Sequence, residues 1–298
     1  MRILVIGASG FVGRALLEEF SGAAEGTYFQ HPQAGLRFLD MRDADAVAKM
    51  LHEVRPSWVL LPAAQPHVDW CEEHREESRE INVQGSANVA RAAREAGARV
   101  VFFSSDYVFD GASGPYDEGA APAPVNVYGR QKLEAEQQIL EANPANVVVR
   151  VCGVYGYESP PKNFVMTLLR RLQGGETVRV PSDQWGTPTY VRDIARVVRG
   201  LVEKGEAGIW HVAGPDWLPR HEFAHRVCAF FGLDAQRIQP VPTAALQQKA
   251  PRPKRAGLVA RRASEGLPSC RGIVEGLSAL ASELRAAEWS AVALKERA

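Results

Sequence analysis

The first half of the chain alternates short apolar runs with longer segments whose apolar residues recur at helical spacing. Arg2 to Ile6, Thr27 to Phe29, Leu36 to Leu39, Trp58 to Leu61, Arg99 to Ser104 and Val147 to Val151 read as strands. Helices are expected from about Phe11, near Glu80 to Ala96, and from about Val125 to Glu141. The strands are almost continuously apolar rather than alternating, the pattern of a parallel sheet covered by helices on both faces. The expected fold is therefore α/β, with a doubly wound parallel sheet. Beyond residue 155 the pattern becomes irregular, broken by Pro160-Pro161, Gly174-Gly175 and the Pro-rich, basic stretch Pro240 to Arg262. A smaller, partly C-terminal lobe is expected there: residues 1–155 form the sheet domain, 187–215 return to it, and 156–186 with 216–298 make the lobe. No internal repeat or long low-complexity linker separates the two parts, so they are expected to share a cleft.

Composition narrows the partners. The 298 residues carry 35 basic and 35 acidic side chains, so no global field recruits nucleic acid or an anionic membrane, and a small molecule is the expected partner. Length alone allows a large core that needs no staples. The four cysteines, Cys71, Cys152, Cys228 and Cys270, form no CxxC pair, which argues against a zinc ribbon, a redox dithiol or a disulfide framework. Met1-Arg2 leads straight into Ile3 to Ile6, too short for a signal h-region, and no run approaches the ~20 apolar residues of a membrane span. A cytoplasmic protein is expected, and a homodimer is left open.

The first strand ends in GASGFVG, which sets Gly7, Gly10 and Gly13 at G-x-x-G-x-x-G spacing before a helix. Glycines let the backbone turn sharply and approach a pyrophosphate, and the helix start offers free N–H groups and a positive dipole. An isolated motif of this kind is as often an ordinary glycine-rich turn, but strand, turn and helix here follow in the required order. The sheet domain thus reads as a Rossmann-type dinucleotide-binding unit. In LDMRD, Asp40 ends another short strand, where its carboxylate can accept from an adenine amino group or serve as a helix N-cap or loop acid. The second strand ends Tyr28-Phe29-Gln30-His31, without the ribose-binding acid that favours NAD(H). Arg14, His31 or Arg37 can meet a 2'-phosphate, so NADP(H) is favoured.

SSDYVFDG follows the strand Arg99 to Phe103, and about two dozen residues on VYGRQK places Tyr128 and Lys132 four apart on an expected helix, stacked on one face. A tyrosine hydroxyl, with an ordinary pKa of ~10, becomes an effective acid-base near neutrality when an ammonium stabilises the phenolate. Lys132 can supply that charge and hold the nicotinamide ribose, while Ser105 can orient a substrate oxygen. Y-x-x-x-K alone is usually a surface pair. Preceded by the glycine turn and a strand-end Ser-Ser, it points to hydride transfer.

GASGFVG, FSSDYVFDG, NVYGRQKLEAE and RVCGVYG together resemble an extended short-chain dehydrogenase/reductase. KNFVMTLLRRL, SDQWGTPTYVRDIA and VPTAALQQKAPRPKRAGL resemble the dTDP-4-dehydrorhamnose reductase branch, and the likeness spans about residues 1–260. The resemblance implies NADPH-dependent reduction of the C4 keto group of a nucleotide-linked deoxysugar, with the proton from a tyrosine. Its catalytic set falls on Ser105, Tyr128 and Lys132. Its cofactor segments fall on Gly7, Gly10, Phe11, Val12, Gly13, Asp40, Met41, Ala63 and Ala64, besides Tyr128 and Lys132. Substrate contacts fall on Ser105, Asn163, Gln184 and Arg252, the last suited to a diphosphate. Where the family usually carries a Thr and a Trp facing the sugar, this chain has Pro66 and Gly153, which should change which sugar fits. Pro62 and Gln65 also depart from the pattern, and the tail after Leu267 matches poorly. SSDYVFDG and APAPVNVYG resemble, in addition, the regulatory β subunit of methionine adenosyltransferase, a dinucleotide-binding partner protein, and an epimerase or dehydratase on the same fold is a third alternative.

Other features read more plainly. His221-Glu222-Phe223-Ala224-His225 is a literal H-E-x-x-H, but no histidine follows His225, and the segment continues into Val227, Cys228, Phe230 and Phe231 as an amphipathic packing helix. No metal site is expected. The cluster Arg252, Lys254, Arg255, Arg261 and Arg262 is short within a neutral chain, so a diphosphate or solvent is expected rather than nucleic acid. Trp58 and Trp70 are expected in the core or cleft, and Cys152 as a small buried thiol that can border the nicotinamide.

Overall fold

The computed structural model describes residues 1–262 and 266–295, the side chains of 288–295 excepted. Six strands, β1 Ile3–Val5, β2 Ala24–Tyr28, β3 Arg37–Phe38, β4 Trp58–Leu61, β5 Arg99–Ser105 and β6 Val147–Val151, build the first part of a seven-stranded sheet. Gly208–Val212 is the seventh. The order from one edge is Gly208–Val212, β6, β5, β4, β1, β2, β3, and every pairing is parallel. The chain thus starts at the centre, runs outward to β3, and crosses to the other side at β4. That reversal between β1 and β4 is the topological switch point of a doubly wound sheet, where the crevice at the strand ends receives ligands.

Both sheet faces are covered. Ile3, Val5, Leu60, Val101 and Val149 pack on one side with Ile194, Val198 and Leu201 of the helix Val191–Lys204. Leu4, Ile6, Val59, Leu61 and Phe102 pack on the other with Val47 and Leu51 of Ala44–Val54 and with Val89 and Ala93 of Ser86–Glu95. Burial on two faces explains why these strands carry no polar alternation. A third cluster, with Val165, Leu169, Val180, Phe223, Val227 and Cys228, takes in Ile273, Leu277 and Leu280 from the last helix.

The boundaries differ from the sequence expectation where partners decide them. Strand β2 starts at Ala24 and includes the polar Glu25, because Ile3 and Leu4 pair with Ala24 and Glu25 across the sheet. The expected helix Glu80 to Ala96 is a π-helical stretch, Glu80–Gly85, followed by Ser86–Glu95. The tyrosine helix runs Val127–Ala142 rather than from Val125, because the Asn126 side chain accepts from Gly129 N at 2.8 Å and caps it. No described helix is long and apolar enough to cross a membrane.

Candidate active site

The glycine turn lies at the switch point. Gly7 has φ +91°, and a Cβ there would meet Ala63 Cα at 2.9 Å, so β1 and the segment after β4 approach to backbone contact. A Cβ on Gly13 would sit 2.1 Å from the Gly7 carbonyl oxygen, which requires the third glycine. The helix Phe11–Glu19 begins at Gly10 with no side-chain cap, so its first N–H groups, those of Phe11, Val12 and Gly13, face outward for an anion. This cradle fits a dinucleotide pyrophosphate.

The adenosine side is less simple. Asp40 accepts from Arg42 through its backbone N–H at 3.0 Å and through the guanidinium at 2.7 Å, which holds its carboxyl below the usual range. It is not a helix cap, since Asp43 caps Ala44–Val54 by accepting from Ala46 N at 3.0 Å. Met41 is buried, its side chain filling the space a Cβ on Gly85 would need and its carbonyl accepting from Asn88. Ala63 donates its N–H to Ile6 O, and Ala63 and Ala64 are half-buried at the crevice. Of the cations considered for a 2'-phosphate, Arg37 is paired with Glu53, whereas the Arg14 guanidinium has no hydrogen bond or ion pair among the described residues.

Ser105 at the end of β5, and Tyr128 and Lys132 on the capped helix, converge. Among the influences on the Tyr128 hydroxyl, hydrogen bonding with Ser105 alone draws its pKa down. Lys132 is 3% exposed, donates to Phe103 O at 2.8 Å, and stands 4.7 Å from the Phe102 ring centroid and 5.9 Å from that of Tyr128. Burial draws its pKa down to about 8, with Glu136 opposing the fall. Burial also pushes the Tyr128 hydroxyl up, reinforced by Cys71, Asp106 and Tyr107. The expected phenolate stabilisation by Lys132 does not dominate. In the protein alone Tyr128 is a neutral phenol, the form that gives a proton to a developing alkoxide.

A deeper layer supports this group. Asp106 is buried, and its two oxygens accept from the Ser105 hydroxyl and the Cys152 thiol, each at 3.0 Å. Desolvation pushes both Asp106 and Cys152 up. One turn beyond Lys132, Glu136 forms a two-point pair with Arg150 at 2.9 and 2.7 Å, and both side chains are 2% exposed. Tyr128, Lys132 and Glu136 repeat at four-residue spacing, a signal the sequence carried and the search for Y-x-x-x-K alone passed over.

Beside Tyr107 and Cys152 opens a cavity of about 160 Å³. Gly153 and Gln184 line it, together with Phe164, Trp185 and Arg220, which sequence reasoning missed. Gly153 has φ +53°, and a Cβ there would rest 3.4 Å from Pro188 Cα. Gln184 turns its amide to Thr243 Oγ1 and Gln248 Oε1. Asn163 is outside the lining: it caps Phe164–Gln173 and donates to Gly156 O and Glu158 Oε2. Arg252, 8% exposed, is also outside it, paired with Asp69 at 3.0 Å. Pro66 is exposed, away from the cavity. In the H-E-x-x-H helix Glu222 pairs with Arg226 while Phe223, Ala224, Val227 and Cys228 pack into the lobe, and no cluster of three or more metal-ligating side chains occurs among the described residues.

The family description "RmlD substrate binding domain" matches residues 1–284. The chain belongs to this family. Its extended short-chain dehydrogenase/reductase fold is shared with dTDP-4-dehydrorhamnose reductase from Bacillus anthracis in complex with NADP, at TM-score 0.87 and 31% identity over 95% of this chain and 99% of that one. The orthologue from Clostridium acetobutylicum is equally similar, at TM-score 0.87 and 32% identity over 96% and 100%. By sequence this RmlD-family chain is 33% identical to dTDP-4-keto-6-deoxy-D-glucose reductase of Streptomyces niveus over 81% of its length and 83% of the relative's. It is 32% identical to methionine adenosyltransferase 2 subunit beta of Rattus norvegicus, over 86% and 80%.

Proposed function

We propose that this chain is an NADPH-dependent reductase acting on the 4-keto group of a nucleotide-linked deoxysugar. The observation that carries the reading is the grouping of Lys132 with Phe102 and Tyr128 on one side, and of Ser105 with Asp106 and the cavity-lining Cys152 on the other. A reduced nicotinamide dinucleotide, bound at the Gly7 turn, supplies the hydride. Ser105 turns its one hydroxyl proton from Asp106 to the substrate carbonyl and sets its orientation, Tyr128 holds the proton at its hydroxyl until the oxygen needs it, and Lys132 fixes the ribose side. Burial of Tyr128 and Lys132, with Ser105 half-buried, limits water at the transfer. Arg14, at the first turn beside the cradle, meets the 2'-phosphate, which favours NADP(H) over NAD(H).

Purified protein is expected to oxidise NADPH when given a dTDP-4-keto-6-deoxyhexose. Tyr128→Phe should lose about 10³-fold in turnover while binding NADPH as the parent does. Undiminished turnover in that variant would overturn the mechanism.

A second reading rests on the similarity to methionine adenosyltransferase β subunits, together with the altered wall at Gly153. On that reading the chain binds a dinucleotide and regulates a synthetase. Stoichiometric capture of a methionine adenosyltransferase catalytic chain, with no turnover of any keto sugar nucleotide, would favour it.

A further inference from the structure

Arg220 opens the helix Arg220–Phe231 and points its guanidinium into the cavity. Its position is fixed twice: the backbone N–H donates to Gln184 O at 2.8 Å, and the guanidinium stacks over the Phe164 ring at 4.4 Å. No hydrogen bond or ion pair engages that guanidinium among the described residues. Arg226, six residues along the same helix, is satisfied by Glu222 and Asp216, so the contrast is local.

Three features oppose a cation at this place. The start of a helix carries positive dipole. Arg252 lies close enough to repel it, and both arginines act on Tyr107. Desolvation is the main cause depressing its pKa, although the residue as a whole is exposed at the cavity edge. Asp106 does not neutralise it by contact, since its oxygens are taken by Ser105 and Cys152. A stacked, preorganised guanidinium with no anion of its own, in a substrate-sized space, is built to receive one.

We propose that Arg220 binds an oxyanion of the substrate, a phosphate or a carboxylate, and so selects anionic molecules at the cavity next to the Ser105–Tyr128 pair. This inference deepens the reductase reading and rests on it for the assignment of the cavity to substrate. Phe164 positions the guanidinium, and Gly153 lines the same cavity.

The test measures affinity rather than turnover, so its failure is separable from failure of the reductase reading. NADPH-saturated protein is titrated by calorimetry with dTDP, with D-glucuronate and with thymidine. The parent is expected to bind dTDP or glucuronate, and Arg220→Leu to weaken that binding tenfold or more, with thymidine unaffected. Arg220→Lys should recover part of the loss, because it restores charge without the planar fork. Loss confined to dTDP assigns the oxyanion to a phosphate, and loss confined to glucuronate assigns it to a carboxylate. Thermal unfolding and NADPH affinity of each variant confirm that the site is intact. A folded Arg220→Leu protein that binds both anions within twofold of the parent would overturn the proposal, as would a parent that binds neither.

Discussion

At one end of the site the Gly7–Gly13 turn leaves no room for a Cβ and meets Ala63 backbone to backbone. At the other end Gly153, Phe164, Gln184 and Arg220 reach one cavity from separate parts of the chain, and side chains rather than backbone set its chemistry. The first end is a steric solution that few residues satisfy, because Gly13 is demanded by the backbone of its own turn and Gly7 by that of Ala63 beside it. The second tolerates replacement, since a wall can be removed at Gly153 and a charge presented at Arg220 without disturbing the sheet. Within one family, the cofactor end should therefore hold constant while the cavity end changes its ligand.

The sharpest way to break this contrast is at the tight end. Gly13→Val should abolish NADPH binding, read by fluorescence titration beside a thermal melt, because its Cβ collides with the Gly7 carbonyl oxygen. A folded Gly13→Val protein of parental NADPH affinity would show that the turn is not the cradle. Next comes the layer beneath both ends. Glu136→Gln leaves Arg150 buried without its countercharge and should lower the unfolding free energy by about 3–5 kcal/mol in a denaturant titration.

The pH dependence follows from Lys132. Its folded pKa of about 8 lies below its ordinary value of 10.5, so between these two values the unfolded chain binds more protons than the folded one. Stability contributed through this group therefore rises with pH across that window, and the cost of burying its charge is fully present below pH ~8. Lys132→Met should flatten that part of the stability profile; an unchanged slope would place the titration elsewhere. Turnover should move the opposite way, falling as pH passes about 8 and the ammonium is lost. The smallest expected effect is at Arg14. Arg14→Ala should raise the KM for NADPH about tenfold and leave that for NADH within twofold, the difference between losing and never having a 2'-phosphate contact.

Much of the tight end could be read directly. GASGFVG, the apolar strands and the Tyr128–Lys132 spacing are local patterns, and a local pattern needs only helix and strand periodicity to be placed in space. Gln184 and Gly153, named through the resemblance, both line the cavity. The sequence did less well where a polar side chain had several partners available. Asn163 is spent on a helix cap and Glu158, Arg252 on Asp69, and Asp40 on Arg42, choices that depend on neighbours far away or on a competing cation two residues on. The H-E-x-x-H motif shows the same limit from the other side, since its helix is packed through Phe223 and Val227 and its Glu is paired with Arg226.

Sequence by itself determined the doubly wound sheet, the glycine turn at its switch point and the Ser105, Tyr128 and Lys132 set, because each is specified by short-range spacing and by burial on two faces. Tertiary structure alone decided which charges are free. Among the described residues the Arg14 and Arg220 guanidinium groups stand unpaired while those of Arg37, Arg226 and Arg252 do not, a distinction of distances in the folded chain. Electrostatics acts through space, so a guanidinium becomes a binding group only when folding denies it every carboxylate and leaves it facing a cavity.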